Sequence, residues 1–145
     1  MAFWLGIASA DHARAGREGG FAQLGHGRHM ALNGIGAGDW IVYYAPREGM
    51  GTGAPVQAFV TIGEVTSPAP YRAEQTMDFL PYRLDVRYLD AQAAPIRPLL
   101  EALELTRGRG PHWGMALRGP KRRLATADFR RIAEEMGVGA LTPPG

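Results

Sequence analysis

The residues best equipped for chemistry cluster near the start of the chain. Ser9-Ala10-Asp11-His12 places a hydroxyl, a carboxylate and an imidazole within four positions. A hydrolase assembles such groups into a nucleophile, a base and an orienting acid. Here Asp11 and His12 are adjacent, so their side chains diverge on a helix, and no GxSxG elbow presents either Ser9 or Ser67. His26 and His29 are three apart with His12 upstream, a spacing that binds zinc on a helix. Their surroundings are glycine-rich and lack a carboxylate, so they read as loop histidines and no metal ligand is assigned. Gly34-Ile35-Gly36-Ala37-Gly38 precedes a strand instead of joining strand to helix, and it lacks phosphate-loop spacing. The absence of cysteine excludes disulfides, thiolate zinc sites, iron–sulfur clusters and thiol catalysis. The expectation is a non-catalytic protein without a cofactor.

A second set of residues suits nucleic acid. Arg107, Arg109, Arg118, Lys121, Arg122 and Arg123 lie in an acid-free arm and, with Arg47, form the expected phosphate-binding set. His112-Trp113 interrupt the arm, and Trp113 either stacks on a base or fills a core. Sixteen basic and fourteen acidic residues leave a net charge of only +2, which permits a local basic patch but not a histone-like coat. Fifteen of the sixteen basic residues are arginine, the better reader of phosphates and base edges. Phe21, Trp40, Tyr43, Tyr44, Phe79 and Tyr82 stand beside strand ends and glycine loops, where aromatic faces can wall a flat base. Asp11 follows the first apolar run. It suits a hydrogen bond from a base amine and a helix N-cap equally well.

These residues need elements to hold them. At 145 residues the chain makes one domain, large enough to bury a core without staples. Phe3–Ser9 is a continuous apolar run, the mark of a strand covered on both faces. Asp11–Glu18 reads as a short helix broken by Gly19-Gly20. Seven glycines between 19 and 38 make a winding loop. Trp40–Ala45 is a strand closed by Pro46, with Trp40, Val42 and Tyr44 on one face and Ile41 and Tyr43 on the other. Residues 47–55 read as a loop, and Val56–Val65 as a strand with a bulge at Gly63. Tyr82–Leu89 alternates as a half-solvated strand. Pro95–Leu103 reads as a short helix. Thr126 caps a last helix whose apolar face is Phe129, Ile132, Ala133 and Met136. The fold class is α+β, with a curved sheet or barrel and short peripheral helices. The longest apolar runs fall far short of the ~18 residues of a membrane span. Ala8-Ser9-Ala10 imitates a leader cleavage site, but no basic residue precedes it, so a cytoplasmic protein is expected.

Together, Ser9-Ala10-Asp11-His12, Gly19-Gly20-Phe21-Ala22-Gln23, His26-Gly27, Gly38-Asp39-Trp40-Ile41-Val42-Tyr43-Tyr44 with Pro46, Pro95-Ile96-Arg97-Pro98-Leu99-Leu100 and His112-Trp113-Gly114 resemble EVE-domain proteins. The resemblance spans about residues 3–137 and implies a single domain over 1–137 with a tail at 138–145. It implies a PUA-like pseudo-barrel, a strongly bent mixed sheet with short peripheral helices. Related YTH domains bind methylated adenine in RNA. EVE domains are regarded as readers of modified bases, notably modified cytosine in DNA. YTH domains place an Asn or Asp ten residues ahead of a cage Trp, and Asp11 and Phe21 have that separation here. The resemblance thus makes Asp11 the polar reader and Phe21 one aromatic wall. Phe79 or Tyr82 supplies the second wall, since the aligned position is near Leu80. Ser9, Ala22, Gln23, Tyr44 and Trp113 complete the expected base-binding set. The implied partner is DNA, or secondly RNA, carrying a modified base. The rival expectations are a small-molecule or nucleotide-processing enzyme using Asp11 and His12, and a subunit that docks a protein partner through the basic arm.

Overall fold

A computed structural model describes residues 1–76 and 79–143. The chain runs β1 (Phe3–Ile7), α1 (Ala10–Gly19), β2 (Phe21–Ala22), β3 (Trp40–Gly49), β4 (Thr52–Val65), β5 (Tyr71–Arg72), β6 (Tyr82–Tyr88), β7 (Ala94–Pro95), β8 (Lys121–Leu124) and α2 (Thr126–Glu135). Short 3-10 turns fill several of the connections. The strands form one curled sheet in the order β2-β6-β4-β3-β1-β8, with β5 added to β6 and β7 to β4. Every pairing is antiparallel except β1 with β3, where Phe3 faces Trp40 and Ile7 faces Tyr44.

Alternation along β1 and β3 divides the interior in two. Phe3, Leu5, Trp40, Val42 and Tyr44 point to the larger core, which α2 completes with Phe129, Ile132, Ala133 and Met136. Phe3 stacks on Phe129 at 4.4 Å between ring centroids. Ile41 and Tyr43 point the other way, into a smaller core with Ala13 of α1 and with Leu24, Leu32 and Ile35. The two faces of Trp40–Tyr44 are those the sequence led us to expect, and both are buried. Val138, just past the expected end of the domain, is buried in the larger core.

Several local expectations are corrected. Pro46 does not end β3, because pairing with β4 continues through Arg47–Pro55 and Gly49–Thr52, so residues 47–55 extend a hairpin. The register shifts between Ala45 and Arg47, and Pro46 sits within that irregularity, where a missing N–H costs least. Gly63 forms no bulge and pairs regularly with Ile41 and Tyr88. It is required for another reason: a Cβ there would stand 2.6 Å from Val86 Cγ1 and 2.7 Å from the Arg87 carbonyl. Residues 95–103 hold only a 3-10 turn, Arg97–Leu99, although Leu99 and Leu103 are buried as their spacing suggests. Thr126 is the first residue of α2 and not its cap, since Ala125 holds the cap position with no side-chain bond. The buried Asp128 in the first turn instead accepts from the Glu104 and Leu105 N–H groups at 2.8 and 3.0 Å, tying that loop to α2. None of the described helices is long and apolar enough to cross a membrane.

Gly63→Ala should destabilise the fold by about 1–3 kcal/mol, because strand backbone must move to admit one methyl. Urea unfolding measures this, and a midpoint equal to the parent's contradicts the close approach. The tyrosines supply a second expectation. Burial pushes the Tyr44 phenol up to about 12 and raises Tyr43 and Tyr88 above the ordinary value of 10.0. These folded values exceed the unfolded ones. Their stabilisation is therefore complete below pH 10 and is lost as pH climbs through the folded values. Tyrosinate absorbance from these three rings should thus appear together with the loss of circular dichroism, not ahead of it.

Candidate functional site

Parallel neighbours cannot be joined by a tight turn, so the chain between β1 and β3 must make a long crossover. That crossover builds the site. It leaves β1 through Ala8 and Ser9, forms α1, pairs β2 with β6, and returns through 3-10 turns at Gly25–Gly27 and His29–Leu32. On the way back it reaches the opposite edge of the sheet. Gly25 lies against Pro120, and the Asn33 carbonyl accepts from Lys121 Nζ. Between this crossover and the sheet opens a cleft of ≈ 750 Å³. Ile7, Ala8, Leu24, Ala31 and Pro120 give it apolar walls, with Phe79 at one side. Met30 and Met50 stand at its lip, 78% and 67% exposed. Ser9, His12, Gln23, His26, Arg28 and Gln75 supply its polar groups.

The polar groups are held in defined states. Ser9 Oγ donates to Asp11 Oδ1 at 2.5 Å, and the His12 N–H donates to the same oxygen at 2.7 Å. The Ser9 hydroxyl, with help from the His12 N–H and the Arg14 charge, holds the Asp11 carboxyl below its ordinary value despite some desolvation. His12 Nε2 lies 2.9 Å from the Gln23 carbonyl. A carbonyl only accepts, so Nε2 carries the proton. The Tyr43 hydroxyl donates to that carbonyl and accepts from the Gln23 N–H, both at 3.2 Å. Arg83 Nε donates to Gln23 Oε1, and Arg83 Nη2 donates to Gln75 Oε1, each at 2.9 Å. The same guanidinium lies 3.8 Å from the centroid of the Phe21 ring. His26 takes φ 59°, the left-handed region that favours glycine, in a turn whose neighbours Gly25 and Gly27 do the same. Gly27 also packs too closely on Pro81 for any side chain, with a Cβ placed 2.3 Å from Pro81 Cβ.

Of the expected base-binding residues, the structure brings Ser9, Gln23 and Phe79 into the cleft. The others lie elsewhere. Asp11 is exposed beside the cleft and reaches it through Ser9. Phe21 is not a cleft wall, because its ring lies between Gly19 and the Arg83 guanidinium. Ala22 is fully buried in the smaller core. Tyr82 stands outside, edge-on to His29 at 4.9 Å and under Arg72 at 5.2 Å. Tyr44 belongs to the larger core against Phe59, because strand alternation turns it to the other face. Trp113 packs on that same core beneath Arg97, away from the cleft.

The basic arm is not one stripe. Alternation on β8 sends Lys121 and Arg123 toward the Trp4 ring, at 5.2 and 5.5 Å, while Arg122 bonds the Ala116 carbonyl. Arg107 and Arg109 bond carbonyls of their own segment, at Glu101, Ala102 and Leu105. Arg47 bonds the Gly53 carbonyl across the β3–β4 hairpin. Arg118 is exposed just before Gly119 and Pro120, which line the cleft. Sequence reasoning missed Arg28, Met30, Met50 and Gln75, and weighed His26 only as a metal ligand. Two exposed methionines on glycine-rich segments were the available hint, since soft apolar side chains are often kept in the open at adaptable binding surfaces. Among the described residues no group of three His, Asp or Glu side chains is placed to hold a metal ion.

The family model of the EVE domain matches residues 2–135. The chain belongs to the EVE-domain family. It is 43% identical to UPF0310 protein msl3206 of Mesorhizobium japonicum over 139 residues, covering 94% of this chain and 93% of that protein. It is 35% identical to UPF0310 protein YdcG of Bacillus subtilis over 136 residues, covering 94% and 92%. Among solved structures, protein Atu2648 of Agrobacterium tumefaciens superposes with a TM-score of 0.60 at 15% identity, covering 99% of this chain and 97% of that one. Rpa0253 of Rhodopseudomonas palustris gives 0.54 at 15% identity, covering 94% of each. These likenesses establish the fold, the curled PUA-like sheet with short helices that the sequence led us to expect.

In Ser9→Ala the Asp11 carboxyl should titrate at higher pH than in the parent, read by side-chain carbon NMR. A depressed folded value means that the Asp11 contribution to stability is present above its ordinary value of 3.8 and fades as pH falls through the folded one. An unchanged Asp11 titration would mean that the Ser9 bond is not what stabilises the carboxylate.

Proposed function

We propose that this EVE domain is a non-catalytic reader of modified nucleobases. It takes a flipped base into the ≈ 750 Å³ cleft. DNA carrying modified cytosine is the first candidate and a modified base in RNA the second. The observation that carries this reading is the cleft itself. Its volume lies in the ~300–1,000 Å³ range of small-ligand sites, it has apolar walls, and hydrogen bonds hold four of its polar side chains, Ser9, His12, Gln23 and Gln75. Phe79 offers an aromatic wall, and Met30 and Met50 offer adaptable contact. Leaving the stack costs a base a few kcal/mol, which such a pocket offsets. Arg28 at the cleft, with Lys121 and Arg123 on the Trp4 face, supplies positive charge for the flanking phosphates. Such a reader works where its nucleic acid is, in the cytoplasm.

The hydrogen bonding favours binding over catalysis. Ser9 gives its proton to Asp11 and not to His12, and the His12 Nε2 proton faces the Gln23 carbonyl. Ser9 is thereby paired with a carboxylate of lowered basicity and not with an imidazole, the base that activates serine in the hydrolase arrangement. Asp11 serves the reading indirectly, by fixing the Ser9 hydroxyl proton so that the oxygen offers lone pairs to a base amine.

Fluorescence titration tests this with matched oligonucleotides carrying cytosine, 5-methylcytosine, 5-hydroxymethylcytosine, adenine or N6-methyladenine, as DNA and RNA at two salt concentrations. One modified base should bind about ten-fold better than its parent base, the worth of roughly one added contact. Phe79→Ala should lose about 1–3 kcal/mol of that binding. Arg123→Ala should lower the salt slope by about one unit for all sequences alike. Equal binding of every base, unaffected by Phe79→Ala, would falsify the reading.

A further inference from the structure

Arg83 never appears among the cleft walls, yet it grips two side chains that do. Its Nε and Nη2 reach Gln23 Oε1 and Gln75 Oε1, each at 2.9 Å. A guanidinium has five donors and no acceptor, so each amide can only turn its oxygen toward it. That chemistry decides both amide orientations. Gln23 and Gln75 come from segments 52 residues apart, and a single planar group sets them side by side. Among the described residues neither Nε2 has a hydrogen-bond acceptor. Gln23 is 4% exposed and borders the cleft, so the cleft is where its amide protons can find one.

We infer that Arg83 is a positioning residue that sets the hydrogen-bond polarity of the cleft, making it a site for a ligand edge with two neighbouring acceptors. The guanidinium holds both glutamine oxygens, so the two NH₂ groups, that of exposed Gln75 and that of buried Gln23 at the cleft, are the donors left to a ligand. Phe21 supports this from behind by stacking on Arg83 at 3.8 Å, which keeps the guanidinium plane in place. Ser9, whose proton goes to Asp11, adds a separate acceptor. The cleft therefore offers two donors together and one acceptor apart. A carbonyl next to an unprotonated ring nitrogen matches the donor pair, whereas two carbonyls separated by a ring N–H do not. A wrongly faced pair leaves donor against donor, and a cost of about 1.4 kcal/mol for it is a factor of ten. The ligand's being a nucleobase rests on the reading proposed above; the orientation of the two amides does not.

The test has two arms on the full chain. In the first, ¹⁵N NMR follows the side-chain NH₂ signals of Gln23 and Gln75, assigned by their loss in Gln23→Glu and Gln75→Glu. Arg83→Met should shift both signals, and the Arg83 Nε–H of the parent should exchange slowly with water. If Arg83→Met leaves both amide signals in place, the inference is overturned whatever the ligand proves to be. In the second arm, oligonucleotides carrying 5-methylcytosine or thymine at one position are compared. These bases share the methyl group and differ only in edge polarity. The parent should prefer 5-methylcytosine by about ten-fold, and Arg83→Met should reduce this to about two-fold. Arg83→Lys should restore part of the preference, and Gln23→Glu, which keeps a partner for Arg83 but turns an acceptor to the cleft, should reverse it. Melting temperatures confirm that each variant is folded. A preference unchanged in Arg83→Met and Gln23→Glu overturns the ligand class. Failure of the parent to bind either oligonucleotide overturns the base-reader reading alone, and the first arm still decides the role of Arg83.

Discussion

The parallel pairing of β1 with β3 is the constraint from which the rest follows. Two parallel strands in contact leave the chain end of one at the far side from the start of the next. The return needs length, and this chain uses more than thirty residues for it. A helix alone would have covered the distance. Instead the crossover pairs with β6 at one side of the sheet and rests on Pro120 at the other. It thereby spans the open mouth of a sheet that, among the described residues, does not close on itself. The space beneath that bridge is the cleft.

Asp39 locks the geometry where the crossover ends. Its carboxylate accepts from the Ala2 N–H, the Trp4 indole and the Gly36 N–H, at 2.9, 3.0 and 3.1 Å. One side chain thus joins the start of β1, the end of the crossover and the entry to β3. At the other end, Ser9, Asp11 and His12 fix the departure into α1. Both ends of the bridge are pinned by hydrogen bonds to charged or fixed polar groups, which are stronger than neutral ones. The middle is held by β2–β6 pairing, by the bonds at Gln23, and by packing through Leu24, Ala31, Leu32 and Ile35.

What was legible in the sequence reflects which forces act locally. The apolar run of β1, the two faces of Trp40–Tyr44 and the buried stripe of α2 all follow from periodicity, and all are found. The hairpin past Pro46 was not legible, because Pro and Gly read as breakers unless the partner strand is known. The cleft was legible only in part. Ser9 and Gln23 were named from a family resemblance and Phe79 first as an aromatic beside a strand end, while Met30, Met50 and Gln75 come together only once the crossover is in place. Phe21 was read as a wall from its aromatic type and from its spacing to Asp11 in the family resemblance; its partner Arg83 is 62 residues away and invisible to any local rule. The end of the basic arm, Lys121, Arg122 and Arg123, lies on β8. Adjacent residues on a strand point to opposite faces, so a dense run of charge in sequence is divided in space.

The sheet also acts as a partition between two compartments. Side chains from β1 and β3 enter one core or the other, and the sets that fill them are distinct. Energetic effects of substitutions without shared neighbours are close to additive. Ile7 is a shared neighbour, since it lines the cleft and packs on the core behind α2. On this architecture a substitution confined to one compartment should leave the other's packing undisturbed, and one at Ile7, Leu24 or Ala31, where cleft wall and core are the same side chain, should change both the opening and the stability of the fold.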